Sequence, residues 1–111
     1  MGIPRPGRRV RGSRTGRPVM ALLDLLGRRM TLRVLWELSR SGEPLTFRAL
    51  QGAADTNPAL LNTRLKELRA ARLVIHGGEG YSLSAEGRAL LRRLLPLGQW
   101  AERWAARSKR S

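Results

Sequence analysis

Apolar residues recur along this chain at helical spacing, then over two short runs at strand-like spacing, then again at helical spacing over a long final stretch. Residues 1–18 show no such pattern. They mix Gly, Pro and Arg, cannot bury enough apolar surface to offset the entropy of ordering, and are expected to form a disordered basic arm. Val19, Met20, Leu22, Leu23, Leu25 and Leu26 then predict a short helix stopped at Gly27, a residue type suited to the left-handed turn after a helix. Leu32, Leu35, Trp36 and Leu38 predict a second helix, from Thr31 as cap or first-turn residue to about Ser39, with Gly42 beyond its end. Glu43-Pro44 forces a turn. Thr46 can cap a third helix from Phe47 to about Gln51, with Gly52–Asp55 as the turn that follows.

Asn57-Pro58 is the clearest start signal: a capping side chain precedes a proline at the first helical position, where its missing N–H matters least. The fourth helix should run from Pro58 to about Ala71. Leu73–His76 and Tyr81–Leu83, separated by Gly77-Gly78-Glu79-Gly80, read as a β-hairpin with a four-residue tip. Ser84 caps a last helix from Ala85 that Pro96 should kink or split, giving segments of about 85–95 and 97–106. The expected fold is mainly α with a small β-hairpin: one winged helix-turn-helix domain over residues 19–106, ending in a dimerisation helix, with a basic tail at 107–111.

Charge gives this outline a partner. The 111 residues carry 22 Lys and Arg against 8 Asp and Glu, a net charge of +14, which suits a polyanion. Much of the excess sits at the two ends, in Arg5, Arg8, Arg9, Arg11, Arg14 and Arg17 and in Arg107, Lys109 and Arg110, with no acid among them. Such ends read either as nucleic-acid-binding arms or as solvated extensions. The chain has no Cys and one His, and its acids are scattered singly, so thiol chemistry is excluded and neither a metal site nor catalysis is expected. The apolar stretch Val19–Leu26 is too short to span a bilayer, and a cytoplasmic protein is the expectation.

Several stretches together resemble the HxlR-type winged-helix transcriptional regulators within the wider MarR-like group. They are Leu23-Asp24-Leu25-Leu26-Gly27, Thr31 through Leu38, Asn57-Pro58-Ala59-Leu60-Leu61-Asn62-Thr63-Arg64-Leu65-Lys66-Glu67-Leu68, Tyr81 through Leu90, and Trp100. The resemblance implies that the helix from Pro58 enters the major groove, that the hairpin is the wing, and that the terminal helices pair two protomers. Three features depart from the family pattern: Met30 replaces a usual Trp, Arg72 a usual helix-ending Gly, and the wing is short and lacks its Pro and Arg residues. The family's redox-sensing members use a Cys near the N-terminus, so that activity does not carry over.

If the fourth helix buries Leu61, Leu65 and Leu68, its opposite face presents Ala59, Asn62, Thr63 and Lys66. Amide, hydroxyl and ammonium groups beside a small residue can approach base edges, and these four are the candidate base readers; the alternative is an ordinary solvated face. Thr46, Arg48, Asn57, Arg64 and Arg69 are candidates for phosphate contacts, with an ion pair to Glu67 the equal alternative for Arg64. The N-terminal arginines are candidates for phosphates or the minor groove. Leu90, Leu94, Leu97, Ala101 and Trp104 are spaced 4, 3, 4 and 3, with Leu91 and Trp100 beside them. This stripe, with Leu22 of the first helix, predicts a homodimer interface of Leu22, Leu94, Leu97, Trp100 and Trp104; the alternative is that the tryptophans fold back onto their own core.

The expected function is sequence-specific binding of double-stranded DNA by a homodimeric transcription regulator without a cofactor. A non-specific basic winged-helix protein, architectural or RNA-associated, is the rival. A small-molecule effector stays open as a further partner, its expected place lying between the dimer helices and the reading helices.

Overall fold

The computed structural model describes residues 17–110. Arg5, Arg8, Arg9, Arg11 and Arg14 of the expected arm lie outside the described residues. The elements follow in the order α1 (Pro18–Leu26), α2 (Thr31–Ser41), α3 (Phe47–Ala54), α4 (Pro58–Ala70), β1 (Val74–Gly77), β2 (Gly80–Leu83) and α5 (Ala85–Arg110). This is the expected succession of four helices, a hairpin and a closing helix.

Local chemistry starts each of the later helices where the sequence places it. Thr46 Oγ1 accepts from Ala49 N at 3.1 Å, Asn57 Oδ1 from Leu60 N at 2.8 Å, and Ser84 Oγ from Gly87 N at 3.0 Å. Each cap satisfies one of the amide donors that a helix start leaves unpaired. The core forms where the inner faces meet: Leu25, Val34, Leu35, Leu50, Leu61, Leu65 and Leu68 are buried there with Val74, Leu83 and Leu91. Each buried leucine contributes roughly 1.5–3 kcal/mol through removal from water, so the leucine face of α4 is what anchors that helix.

The hairpin is antiparallel and pairs Val74 with Leu83, Ile75 with Ser82, His76 with Tyr81 and Gly77 with Gly80. Its tip is therefore the two residues Gly78-Glu79, because Gly77 and Gly80 belong to the strands. Leu45 adds a short third strand position: Leu45 N donates to Tyr81 O at 2.9 Å and Tyr81 N to Leu45 O at 2.7 Å. That close approach explains Gly80, whose φ is 131° and where a Cβ would overlap the Leu45 carbonyl. Gly87 is required for the same reason, since a Cβ there would overlap the Leu73 carbonyl oxygen.

Several local expectations are corrected. Gly27 ends α1 in a right-handed conformation, φ −77°, and the left-handed residue is Met30, φ 74°. Helical turns continue through Arg28 N to Leu25 O and Thr31 N to Arg28 O, so the chain reverses only at Met30. Of the two roles open to Thr31, the first-turn one holds: it is the first residue of α2, and its hydroxyl is buried without a hydrogen-bond partner among the described residues. Helix α3 continues to Ala54, and the turn after it is carried by Asp55 at φ 54°. Leu32 and Trp36 lie on the outer face of α2 and are exposed.

Pro96 does not divide the last helix, which runs unbroken from Ala85 and includes Arg107 and Lys109, so these are helical rather than part of a tail. Both Pro96 and Arg92, whose carbonyl loses its helical donor to the proline, are exposed residues, a setting in which solvent can take the place of the missing donor. Arg72 takes φ 63°, the conformation a glycine would hold with less strain. Around it Leu73 N donates to Leu68 O at 3.0 Å and Arg72 N to Arg69 O at 2.9 Å, the paired bonds of a left-handed helix end. The arginine thus preserves the turn that aims the chain from α4 into the hairpin.

Candidate nucleic-acid interface

Helices α3 and α4 are joined by Asp55-Thr56-Asn57, a tight connection that leaves α4 capped at its start and packed through Leu61, Leu65 and Leu68. Burial of these three turns the opposite face outward by the helical period. Ala59, Asn62, Thr63 and Lys66 are all exposed on it, with Arg69 one turn beyond Lys66. Asn62 and Lys66 make no side-chain hydrogen bond or ion pair among the described residues, which leaves the amide and the ammonium available. Thr63 differs, because its hydroxyl donates to Ala59 O at 3.1 Å and presents its oxygen lone pairs and methyl group.

A groove runs between α4 and the hairpin, lined by Lys66, Arg69, Ala70, Val74, Ile75 and His76. Sequence reasoning missed Ile75 and His76 as groove residues. The signal was present in the strand alternation: Val74 is buried while Ile75 points outward. His76 stacks on its cross-strand partner Tyr81, ring centroids 3.9 Å apart and planes 2° from parallel, which stiffens the hairpin beside the groove.

Seven basic residues on and around α2, α3 and α4 divide into two groups. Arg28, Arg33, Arg40 and Arg64 are held in ion pairs with Asp24, Glu37 and Glu67. Arg48, Lys66 and Arg69 are exposed and have no ion-pair partner among the described residues. Of the two uses open to Arg64, the ion pair is the one formed: Nη1 lies 3.0 Å from Glu67 Oε1, Nε donates to the Arg29 carbonyl at 2.6 Å, and the side chain is 15% exposed. So engaged, the guanidinium offers little free surface to a phosphate. Thr46 and Asn57 are exposed at the starts of α3 and α4 with their side-chain oxygens engaged in capping. Arg17 stands immediately before α1 as its cap residue.

Glu37 lies under the outer face of α2, buried between Arg33 at 2.8 Å and Arg40 at 3.0 Å. The hydrogen bond from Arg40 holds its carboxyl below the usual carboxylate range, against the opposing effect of burial, with Arg33 adding to the lowering. Among the described residues no group of three or more acidic or histidine side chains could hold a metal ion, and no helix is long and apolar enough to cross a membrane.

The residues expected at a dimer interface divide as well. Leu22 and Leu94 are half-buried against the protomer's own core. Leu97, Trp100 and Trp104 are 56%, 48% and 54% exposed, so the tryptophans do not fold back; their rings stack on each other at 6.0 Å. Val19, Met20 and Leu23 add an exposed apolar face on α1 that the sequence had assigned only to helix formation. An open hollow of about 460 Å³ lies between α2, β2 and α5, over Leu38, Leu83 and Leu91, away from α4.

No family model and no curated protein matches the chain. Among solved structures, quinone-bound YodB from B. subtilis is similar, with a TM-score of 0.71 at 24% identity, over 77% of this chain and 96% of that one. The fold is a winged helix-turn-helix. In that frame α3 and α4 are the helix-turn-helix pair, β1 and β2 form the wing, and α5 leaves the domain as a long terminal helix.

Proposed function

We propose that this protein is a sequence-specific, double-stranded-DNA-binding transcription regulator of HxlR type that acts in the cytoplasm as a homodimer and catalyses no reaction. The observation that carries the reading is the outer face of α4. Asn62, Thr63 and Lys66 stand exposed on a capped helix, with the exposed cation Arg69 and the groove to the wing beside them and Arg48 exposed at the start of α3. Asn pairs well with adenine, Lys with guanine, and the Thr methyl with thymine. Arg48 and Arg69 supply phosphate contacts, Thr46 and Asn57 fix the helix starts that face the backbone, and the N-terminal arginines follow phosphates or the minor groove.

Leu97, Trp100 and Trp104, with Val19, Met20 and Leu23, supply the apolar surface for a two-fold partner. Two reading helices related in this way call for a near-palindromic site with half-sites about 34–36 Å apart.

The test is selection of binding sites by the purified protein from a randomised duplex library, followed by a salt series on the selected duplex and a random one. A regulator prefers its site by roughly 10³ to 10⁷. Equal affinities with one common slope, about −0.9 per phosphate contact, would favour the rival basic, non-specific binder.

A further inference from the structure

Four charged side chains form one continuous set of contacts beside α4. Arg28, in the turn between α1 and α2, donates through Nη1 to Glu67 Oε2 at 2.7 Å and through Nη2 to Asp24 Oδ2 at 3.1 Å. The other Glu67 oxygen accepts from Arg64 Nη1 at 3.0 Å, and Arg64 Nε donates to the Arg29 carbonyl at 2.6 Å. Two of these contacts, Arg28 to Glu67 and Arg64 to Arg29, tie α4 to the α1–α2 turn. Glu67 and Arg64 are 14% and 15% exposed, so their pair is better shielded from water and salt than an ordinary surface ion pair, while Arg28 and Asp24 are more open at 26% and 36%.

The inner face of α4 rests on leucines. Burial of the leucines decides which face of α4 points inward, but apolar burial is non-directional and fixes the roll of a helix less finely than a directional contact does. Charge-assisted hydrogen bonds from a planar guanidinium are directional and fix it. Arg64 and Glu67 directly follow Thr63 and Lys66 in the chain, so the clamp grips the same helical turns that carry the base readers.

We propose that Arg28 and Glu67 are positioning residues that set the roll of α4 and thereby determine DNA sequence preference without touching DNA. The inference rests on the reading of α4 as the reading helix.

Electrostatics separates this role from a simple charge effect. Glu67→Gln removes a negative charge near the phosphates, which strengthens binding to every duplex; Arg28→Met removes a positive charge, which weakens it for every duplex. Neither charge change by itself alters the ratio between a specific and a random duplex. Mispositioning lowers that ratio in both variants. The expected loss is about ten-fold, the discrimination carried by one base contact.

The experiment measures wild type, Glu67→Gln, Arg28→Met and Arg28→Lys on the wild-type-selected duplex and on a random duplex, well below each melting temperature. The expected result is a ratio reduced about ten-fold in both Glu67→Gln and Arg28→Met, with Glu67→Gln binding random duplex at least as well as wild type. Arg28→Lys keeps the charge but cannot span Asp24 and Glu67 together, and should lie between. If Glu67→Gln does not fold, Arg28→Met decides. An unchanged ratio, even with a lowered melting temperature, overturns the inference and leaves the reading of α4 intact. A wild type that selects no sequence overturns both.

Discussion

Arg72 offers a direct test of how the chain leaves α4. Its φ of 63° places a Cβ-bearing residue where the backbone favours glycine. The left-handed conformation costs a non-glycine residue roughly 1–2 kcal/mol, whereas glycine gives back about 0.5–1 kcal/mol through its freer unfolded chain. Arg72→Gly should therefore be more stable than Arg72→Ala by about 0.5–1 kcal/mol. Alanine is the proper reference because both variants remove the same charge, and relief of self-repulsion in so basic a chain would raise the stability of either. The Arg72 side chain is exposed, and the one bond to its backbone carbonyl, from Ser84 Oγ at 2.6 Å, is available to any residue. For a domain of this size the difference corresponds to about 2–8 °C in melting temperature, read by circular dichroism. Equal melting temperatures, or a less stable glycine variant, would refute the argument that the turn into the hairpin is strained.

Three further predictions follow from packing, charge and exposure. Gly87→Ala should destabilise by more than about 2 kcal/mol because its Cβ must displace the Leu73 backbone, whereas Gly52→Ala, in the open on α3, should stabilise by up to about 1 kcal/mol; denaturant midpoints check both. Because the folded-state pKa of Glu37 is depressed, its ion pairs stabilise the protein above the unfolded value of 4.5, and that stability is lost as pH falls through the folded value. Melting temperatures between pH 6 and 3 should thus fall more steeply for wild type than for Glu37→Gln. Trp104→Glu should shift sedimentation from dimer towards monomer by at least about ten-fold in the dimer dissociation constant, while a wild type that is already monomeric at micromolar concentration would contradict the apolar face as an interface.

What the sequence makes legible is the chemistry that acts over a few residues. Asn57-Pro58, Thr46 and Ser84 announce helix starts because a capping oxygen needs only its own next turn. The outer face of α4 is legible because three leucines at helical spacing leave one arrangement for the rest.

Contacts between distant segments are not written in that way. Trp36 fits the apolar period of α2 yet lies outside, since periodicity finds a stripe and does not reveal how wide the neighbouring elements cover it. Leu45 pairs with Tyr81, 36 positions further along the chain, and only that approach explains Gly80. Arg64 has a local partner in Glu67, but its bond to the Arg29 carbonyl, which draws it from the surface, requires the α1–α2 turn to be in place. Pro96, expected to kink or split the last helix, does not split it: the proline rule counts a lost bond, and the sequence does not show that Arg92, one turn earlier, lies exposed to solvent.

The central claim is that α4 reads bases through Asn62, Thr63 and Lys66, and the most direct measurement compares the duplex sequences selected by wild type and by Lys66→Ala. The account predicts that the variant keeps the overall site and spacing but loses preference at one base position in each half-site, symmetrically, at a cost of about 1–3 kcal/mol on the wild-type duplex. A Lys66→Ala profile identical to wild type, with affinity lowered equally on selected and random duplexes, would make Lys66 a phosphate contact and contradict the assignment of this face as the reader.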